Sequence, residues 1–396
     1  MKVEVYDNFE ELQKHQREWD DFVESVGGEI FLTYDWCRVW WKYYGKNRDL
    51  RLFIFRDDGN LIGILPIFFE RIWLGPVFVR AVKIVGSDFT LAQFSLPIQK
   101  RYLTETIRRL FETISKYNWD IMHIGPIAGL YNCRNDLADA FNKFFSNSHS
   151  VMIRNKNVQT YFELPDSKEV YISRLTKNER KKIRKSYKRI SNESNKPIRQ
   201  LASKENFKHF FDEFVQMHTL FWKESSKSGH FGDWPHAYEF HRDVAEKQFK
   251  LNRLRLLKVQ LGDRVLGYKY GYKLGSKHFA FLDARSTHIN DPNISIGRIL
   301  FIENIETIIA EGSRYMDSMR GKYEHKLRLG GKLFPIRSIY IFPKKLSVSL
   351  RVSLFRALAS FLNLCYYRIW YCRIAPKLPF RRRALWKIWI RTCEFA

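Results

Sequence analysis

Two widely separated parts of the chain show the same succession of hydrophobic and polar patterns. Around residue 50 the run RLFIFRDDGNLIGILPIFFE places two stretches of β-forming residues on either side of Asp57-Asp58-Gly59-Asn60. That pattern predicts a hairpin with a short turn. VFVRAVKIVG at 77–86 predicts a third strand. Leu103, Ile107, Leu110, Phe111 and Ile114 then recur at helical spacing between Tyr102 and Tyr117, and WDIMHIGPI reads as a buried strand ending near Gly125-Pro126. The same order returns at 253–275, where RLRLLKVQLGDRVLGYKYGYKLG predicts a second hairpin turning near Gly262-Asp263. The strand KHFAFLDA (277–284), the helical segment ISIGRILFIENIETIIAEG and the strand RYMDSM (314–319) follow it.

Aligning DGNLIG (58–63) with GDRVLG (262–267), and NWDIMHIG (118–125) with SRYMDSMRG (313–321), gives an internal repeat about one domain apart. The expected fold class is α/β (α+β): two domains, each with a mixed, mostly antiparallel sheet and a helix crossing to a parallel neighbour. The expected boundaries are 1–165, 166–345 and a helical tail at 346–396. With 396 residues, 45% hydrophobic, 12 prolines and 20 glycines, collagen-like and broadly disordered classes are excluded.

Charge adds a partner class. Residues 1–165 carry 21 basic and 21 acidic side chains, residues 166–345 carry 37 and 20, and residues 346–396 carry 10 and 1. The whole excess of +26 therefore lies beyond residue 165 and attracts polyanions: nucleic acid, anionic lipid or phosphorylated small molecules. Part of it sits in LTKNERKKIRKSYKRISNESNKPIRQL (175–201), a helix-compatible run in which Ile183, Tyr187 and Ile190 are the only plausible buried stripe. A solvated face and a phosphate-binding face are both consistent with that pattern. In the tail, basic and aromatic residues mix with no uncharged run of ~20 apolar residues, so a bilayer span is not expected. Such a composition suits the headgroup boundary of an anionic membrane, and equally a basic helix pair packed on the globule or on a partner subunit.

Five cysteines at irregular spacing, with no CxxC or Cys/His ligand pattern, point to neither a disulfide framework nor a zinc site, and no metal is expected. The acidic, amphipathic N-terminus lacks the form of a secretory signal, so a cytoplasmic chain is expected, with an inner-membrane-surface association as its refinement. Motifs for P-loop nucleotide binding, zinc proteolysis, serine hydrolysis and dinucleotide binding are absent. What remains is the RSTHINDPNISIG segment ahead of a helix. Ser295, with Gly297 two residues on, opens that helix, where free amides and the helix dipole form an anion site suited to a pyrophosphate, although most such segments are ordinary helix starts.

The derived order resembles the GNAT acyltransferase fold. FLTYDWCRVWWKYYG (31–45), the 50–70 hairpin, LTKNERKKIRKS (175–186), FVQMHTLFWKESSKSGHFGD (214–233), RVLGYKYGYKLG (264–275), NISIGRILF (293–301) and YMDSMRGKYEHKLRLGG (315–331) resemble the CelD/BcsL-type acetyltransferases of exopolysaccharide clusters, tandem-GNAT proteins related to the Fem peptidyltransferases. The resemblance covers most of residues 25–335. It implies acyl transfer from acetyl-CoA or another acyl-CoA to an amine, such as an amino sugar or its nucleotide- or lipid-linked form. The second domain would hold the donor, and the first would be structural and acceptor-shaping. Ser295, Ile296, Gly297 and Arg298 stand where the donor's pyrophosphate loop and helix start should be, and Asp283 where the sheet would part for the pantetheine arm. The superfamily's Q/R-x-x-G-x-G/A motif is not intact here, and Fem relatives use aminoacyl-tRNA instead, so a tRNA-dependent transferase is the alternative. A non-catalytic protein that tethers nucleic acid or membrane is a third reading.

Acyl transfer needs a deprotonated nucleophile, stabilisation of the developing oxyanion and a proton for the leaving thiolate. Asp317 is the candidate acceptor-binding residue or base and Tyr323 the proton donor. Lys326 and Arg328 are candidates for holding an anionic acceptor group such as a sugar-nucleotide diphosphate. Trp222 and His230 belong to a His/Trp-rich stretch read as walls around an acceptor, while neighbouring His218 also reads as a core histidine. Asp88, after a first-domain strand, reads as a remnant of a duplicated site, as lining an acceptor groove, or as a turn-capping aspartate.

Overall fold

The turn of the first hairpin shows why the chain reverses where it does. Asp58 and Gly59 both have positive φ, +46° and +80°, the left-handed pair that a two-residue turn between twisted strands requires. In the computed structural model, which describes residues 1–90, 92–190, 196–224, 229–288, 294–378 and 383–396, this turn joins β2 (Asp49–Asp57) to β3 (Asn60–Leu74). The remaining strands are β1 (Lys2–Tyr6), β4 (Val77–Ile84), β5 (Ile121–Ile127), β6 (His149–Glu163), β7 (Ile198–Leu201), β8 (Leu254–Leu261), β9 (Arg264–Leu274), β10 (Lys277–Arg285), β11 (Tyr315–Arg320) and β12 (Lys332–Pro343). Residues 191–195, 225–228 and 289–293, which include parts of the basic, His/Trp-rich and helix-start segments, lie outside the described residues.

The chain divides into Met1–Asn157 with Pro335–Ala396, and Val158–Phe334. These divisions fall inside β6 and β12 rather than at 165 and 345. The tail is part of the first unit, because its helix buries Val352, Phe355 and Ala359 in one core with Ile72, Val79, Ala81, Ile121, Tyr340 and Phe395. In that unit the strand order is β1-β2-β3-β4-β5-β12, antiparallel except for the parallel join of β4 to β5.

The second unit repeats this arrangement. Its order is β7-β8-β9-β10-β11-β6, antiparallel except for the parallel join of β10 to β11. The crossover is the helix Ile296–Ala310, whose apolar side chains are spread around its circumference and largely buried, with Arg298, Glu303, Asn304 and Glu306 among its polar exceptions. Ile302, Ile305 and Ile308 pack with Phe162, Tyr171 and Ile183, whereas Ile296, Ile299 and Leu300 pack with Leu257, Val259 and Leu266. Ile183 comes from the basic helix Lys177–Ile190, whose Tyr187 and Ile190 also pack against these clusters, so the stripe expected from sequence is the face that docks.

The two parallel joins differ. β4 and β5 pair at Ala81/Ile121, Val82/Met122 and Lys83/His123. Past the end of β4, the segment 92–99 enters the gap: Phe94 exchanges hydrogen bonds with Pro126 and Ala128 on one side, and Pro97 and Gln99 bond Ile64 and Ile62 on the other. Phe94, Leu96 and Ile98 are buried there. Beside it lies a buried ion cluster in which Arg48 and Lys83 meet Asp88 at 2.9 and 2.5 Å and Glu70 at 3.0 and 3.2 Å. Burial raises the Asp88 carboxyl, but the charges of Arg48 and Lys83 overcome that and hold it below its ordinary range. Asp88 is therefore the centre of a structural ion cluster, neither a simple turn cap nor an open groove residue.

Candidate active site

β10 and β11 pair in parallel at Lys277/Tyr315, His278/Met316 and Phe279/Asp317, and there the pairing stops. β10 continues to Arg285 with a register shift against β9 between Ala280 and Leu282, and β11 continues to Arg320 with a shift against β6 after Asp317. Both strands thus bend at the same level and part toward their C-terminal ends. Irregularities of this kind re-aim strands beside sites.

Asp317 sits at the vertex, 3% exposed. Its carboxylate accepts hydrogen bonds from Gln159 Nε2 and from the Met319 N–H, each at 2.8 Å. Met319 has a φ of +61°, costly for a residue with a Cβ. The Asp317 carboxylate is what fixes this strained residue, and with it the direction in which β11 leaves.

Beyond the vertex, Gly321 adopts a φ of +114° that lets the Tyr323 ring lie over it: a Cβ there would meet the ring at 2.3 Å. Tyr323 itself is half-exposed, precedes the short helix Glu324–Arg328, and stacks on His325 with centroids 5.7 Å apart. The Lys326 ammonium lies 5.0 Å from the Tyr323 ring centroid and donates to the Ser318 carbonyl. Burial pushes the Lys326 amine down from 10.5 to about 8, a shift opposed by the charges of Asp283 and Asp317 and reinforced by Lys269. Asp283, on the departing end of β10, is exposed and pairs with Lys269 at 2.6 Å. Its backbone carbonyl accepts from His218 Nδ1 at 2.8 Å, which fixes His218 as the Nδ1–H tautomer, with Nε2 left to accept the His230 N–H at 3.4 Å.

At the other element of the candidate site, Ser295 caps the helix Ile296–Ala310 without a side-chain cap bond. Its N–H is taken by Ser186 Oγ at 3.1 Å, and its Oγ by Arg298 Nη1 at 3.0 Å. Arg298 is in turn bound to Glu179 of the basic helix at 2.9 Å. Burial raises the Glu179 carboxyl, but hydrogen bonds from Arg298 and Lys182 outweigh it and hold it below its ordinary value. Three of these polar groups are thus engaged within the protein, whereas the N–H groups of Ile296 and Gly297 have no partner among the described residues. Among the described residues a Cβ on Gly297 would find only Arg285 Nη1, at 3.8 Å, so none of them crowds these two amides.

The structure thus joins Asp283, Asp317, Tyr323 and Lys326 around the parting of β10 and β11. Other expected site residues are engaged within the protein. His230 is 8% exposed, bonded to His241 at 2.8 Å and stacked on Trp234, an interior position rather than an acceptor wall. Trp222 lies against Gly229, whose missing Cβ would meet its ring at 2.7 Å. Arg328 pairs through Nε with Glu324 at 3.1 Å on the surface of its own helix. Sequence reasoning missed Gln159, Ser186, Glu179 and Lys269, which arrive from segments distant along the chain. Among the described residues no group of three His, Cys, Asp or Glu side chains is placed to hold a metal ion.

This topology, a parallel join that opens beside a helix start, is that of the GNAT acyltransferases, and residues 177–327 match the family described as Acetyltransferase (GNAT) domain. The match runs from the basic helix through Lys326 and so spans every residue assigned to the site above except Gln159. Among solved structures, FemX superposes with a TM-score of 0.60 at 11% identity, covering 89% of this chain and 100% of that one. A conserved protein of unknown function from Bacteroides thetaiotaomicron VPI-5482 superposes with a TM-score of 0.51 at 11% identity, covering 87% and 100%. At such identities the likeness is one of fold. No curated protein matches the sequence.

Proposed function

We propose that this chain is an acyl-CoA-dependent N-acyltransferase of the CelD/BcsL type, acting on an amine of an amino sugar or its nucleotide- or lipid-linked form in cell-surface polysaccharide metabolism. The observation that carries the reading is the contrast between the two parallel joins. In the first unit residues 92–99 pair beyond the end of β4; in the second, no such segment pairs between β10 and β11 among the described residues, and a strained bulge, a desolvated lysine and an accessible tyrosine stand where the two strands part.

The fit to an acyl-CoA donor rests on the uncrowded surface at Gly297 and on the Ile296 and Gly297 amides, which have no partner among the described residues and suit a diphosphate. Such a donor would supply the thioester carbon to be attacked by the acceptor amine. Lys326, cationic at neutral pH, faces the negative charge that develops in the reaction, where a desolvated cation acts most strongly. As the amine nitrogen bonds to the carbonyl carbon and the C–S bond breaks, the amine gives up its proton to solvent, and the exposed Tyr323 hydroxyl gives its proton to the leaving sulfur and regains one from solvent. Asp317 is a positioning residue: it holds Met319 and supports the protonated state of Lys326 through its charge.

A Fem-like transfer from aminoacyl-tRNA is the second reading. Glu179 favours it by withdrawing Arg298 from any diphosphate, while Lys181, Arg184 and Lys188 remain exposed on the basic helix. Transfer of labelled acetyl groups from acetyl-CoA to amino sugars tests the first reading. Tyr323→Phe should lower turnover at least about a hundredfold with donor affinity kept. Steeply salt-dependent tRNA binding, with no acetyl transfer, would move the assignment to the second.

A further inference from the structure

The C-terminal region forms one helical run, Leu346–Leu362 continuing with wider winding through Asn363–Ile374 to Lys377. By length and composition this run is sufficient to cross a membrane, contrary to the expectation from its interspersed arginines. Its two faces differ. Val352, Phe355 and Ala359 are buried in the core of the first unit, and Arg351 pairs with Asp120. On the opposite face Leu346, Leu350, Leu354 and Phe361 are 73, 62, 52 and 65% exposed. At ~100° per residue these four fall in a sector about 80° wide, diametrically opposite the packed residues. Exposed Leu364 extends the stripe to a length of roughly 27 Å.

We propose that this stripe lies in the surface of an anionic lipid bilayer, with the helix parallel to the membrane plane. Lys344 and Lys345 flank it at one end and Arg368, Arg373 and Lys377 at the other, all exposed. No carboxylate occurs from residue 346 to 393. An apolar strip bounded by cations matches acyl chains beneath anionic headgroups. A second copy of the chain is the poorer occupant, because its approach would bring two uncompensated positive fields together. A transmembrane span is excluded by the packed face, which would have to leave the core that Phe395 and Tyr340 complete.

The proposal stands independently of the acyl-transfer reading, since it concerns only where the protein resides. The test is flotation of the full chain with vesicles of phosphatidylcholine alone, and with roughly one lipid in three replaced by phosphatidylglycerol. Wild-type protein should float with the anionic vesicles, and salt or alkaline carbonate should release it. The variant L350E/L354E/F361E should lose at least about tenfold in partitioning, with an unchanged melting curve because its side chains point away from the core. Should that variant unfold, Arg368→Gln with Arg373→Gln and Lys377→Gln must abolish the preference for anionic vesicles. Absence of wild-type flotation, equal flotation of the variants, resistance to carbonate, or a dimer split by the glutamates without loss of vesicle binding would each overturn the proposal.

Discussion

Replacing Lys326 with methionine separates stability from activity in a way that few substitutions do. The lysine is largely buried, and the fall of its amine from 10.5 to about 8 means that the folded state resists its charge. That resistance amounts to ~3 kcal/mol whenever the group is protonated in both states. Because the folded value is lowered, the penalty is carried in full below about pH 8 and disappears as pH rises toward 10.5. Lys326→Met removes the penalty but also the hydrogen bond to the Ser318 carbonyl, a loss of ~1 kcal/mol. The net expectation at pH 7 is stabilisation by about 2 kcal/mol, or roughly 4–8 °C in the unfolding midpoint of that unit. Turnover should nonetheless fall severely, since the cation facing the reacting group is gone. Scanning calorimetry of both proteins from pH 6 to beyond 10 is the assay. A variant less stable than wild type at pH 7, or a stability gap that does not narrow between about pH 8 and 10.5, would refute the placement of a charged, desolvated lysine at this site.

Asp317→Asn should move the descending limb of the pH–rate profile below 8, because one of the charges that supports the Lys326 cation is removed; a limb that stays in place would show that the two groups do not interact. Asp88→Asn should destabilise the protein by about 3–5 kcal/mol in urea titrations at pH 7, since it leaves Arg48 and Lys83 short of a buried counter-charge. The Asp88 carboxyl is held below its ordinary 3.8, so this contribution is intact above about pH 4 and fades as the solution is acidified further.

The hairpins and crossovers were legible because local chemistry and global pattern agree there. Gly59 and Gly262 mark reversals between runs of β-formers, and the apolar period from Ile296 to Ile308 admits only a buried helix. β6 and β12 were not foreseen. Much of β6 is exposed and rich in Arg, Lys and Asn, and Pro335 interrupts the strand signal of β12. The tail's packing was only partly legible: Arg351 and Arg356 look like interruptions of an apolar run, yet both are half-buried, Arg351 bonded to Asp120 and Arg356 to the Phe395 carbonyl.

At the candidate site, Ser295, Gly297, Tyr323 and Lys326 announced themselves through their position after predicted elements. The partners that set their state did not. Ser186 is 109 residues from Ser295 and Gln159 is 158 from Asp317, and hydrogen bonds over such separations leave no periodic trace in sequence. The closed gap of the first unit was equally hidden, because AQFSLPIQ shows too few alternations to be told from a loop until Phe94 is seen paired with Pro126 and Ala128.

Calorimetric titration of acetyl-CoA into the wild-type chain and into Gly297→Val probes the donor seat itself. Among the described residues a valine there meets only Arg285 Nη1 near its Cβ, so the fold should be retained. The account predicts saturable binding of one equivalent, weakened at least about tenfold by the valine, which crowds the two open amides. No binding by the wild type, or binding that the valine leaves untouched, would contradict it.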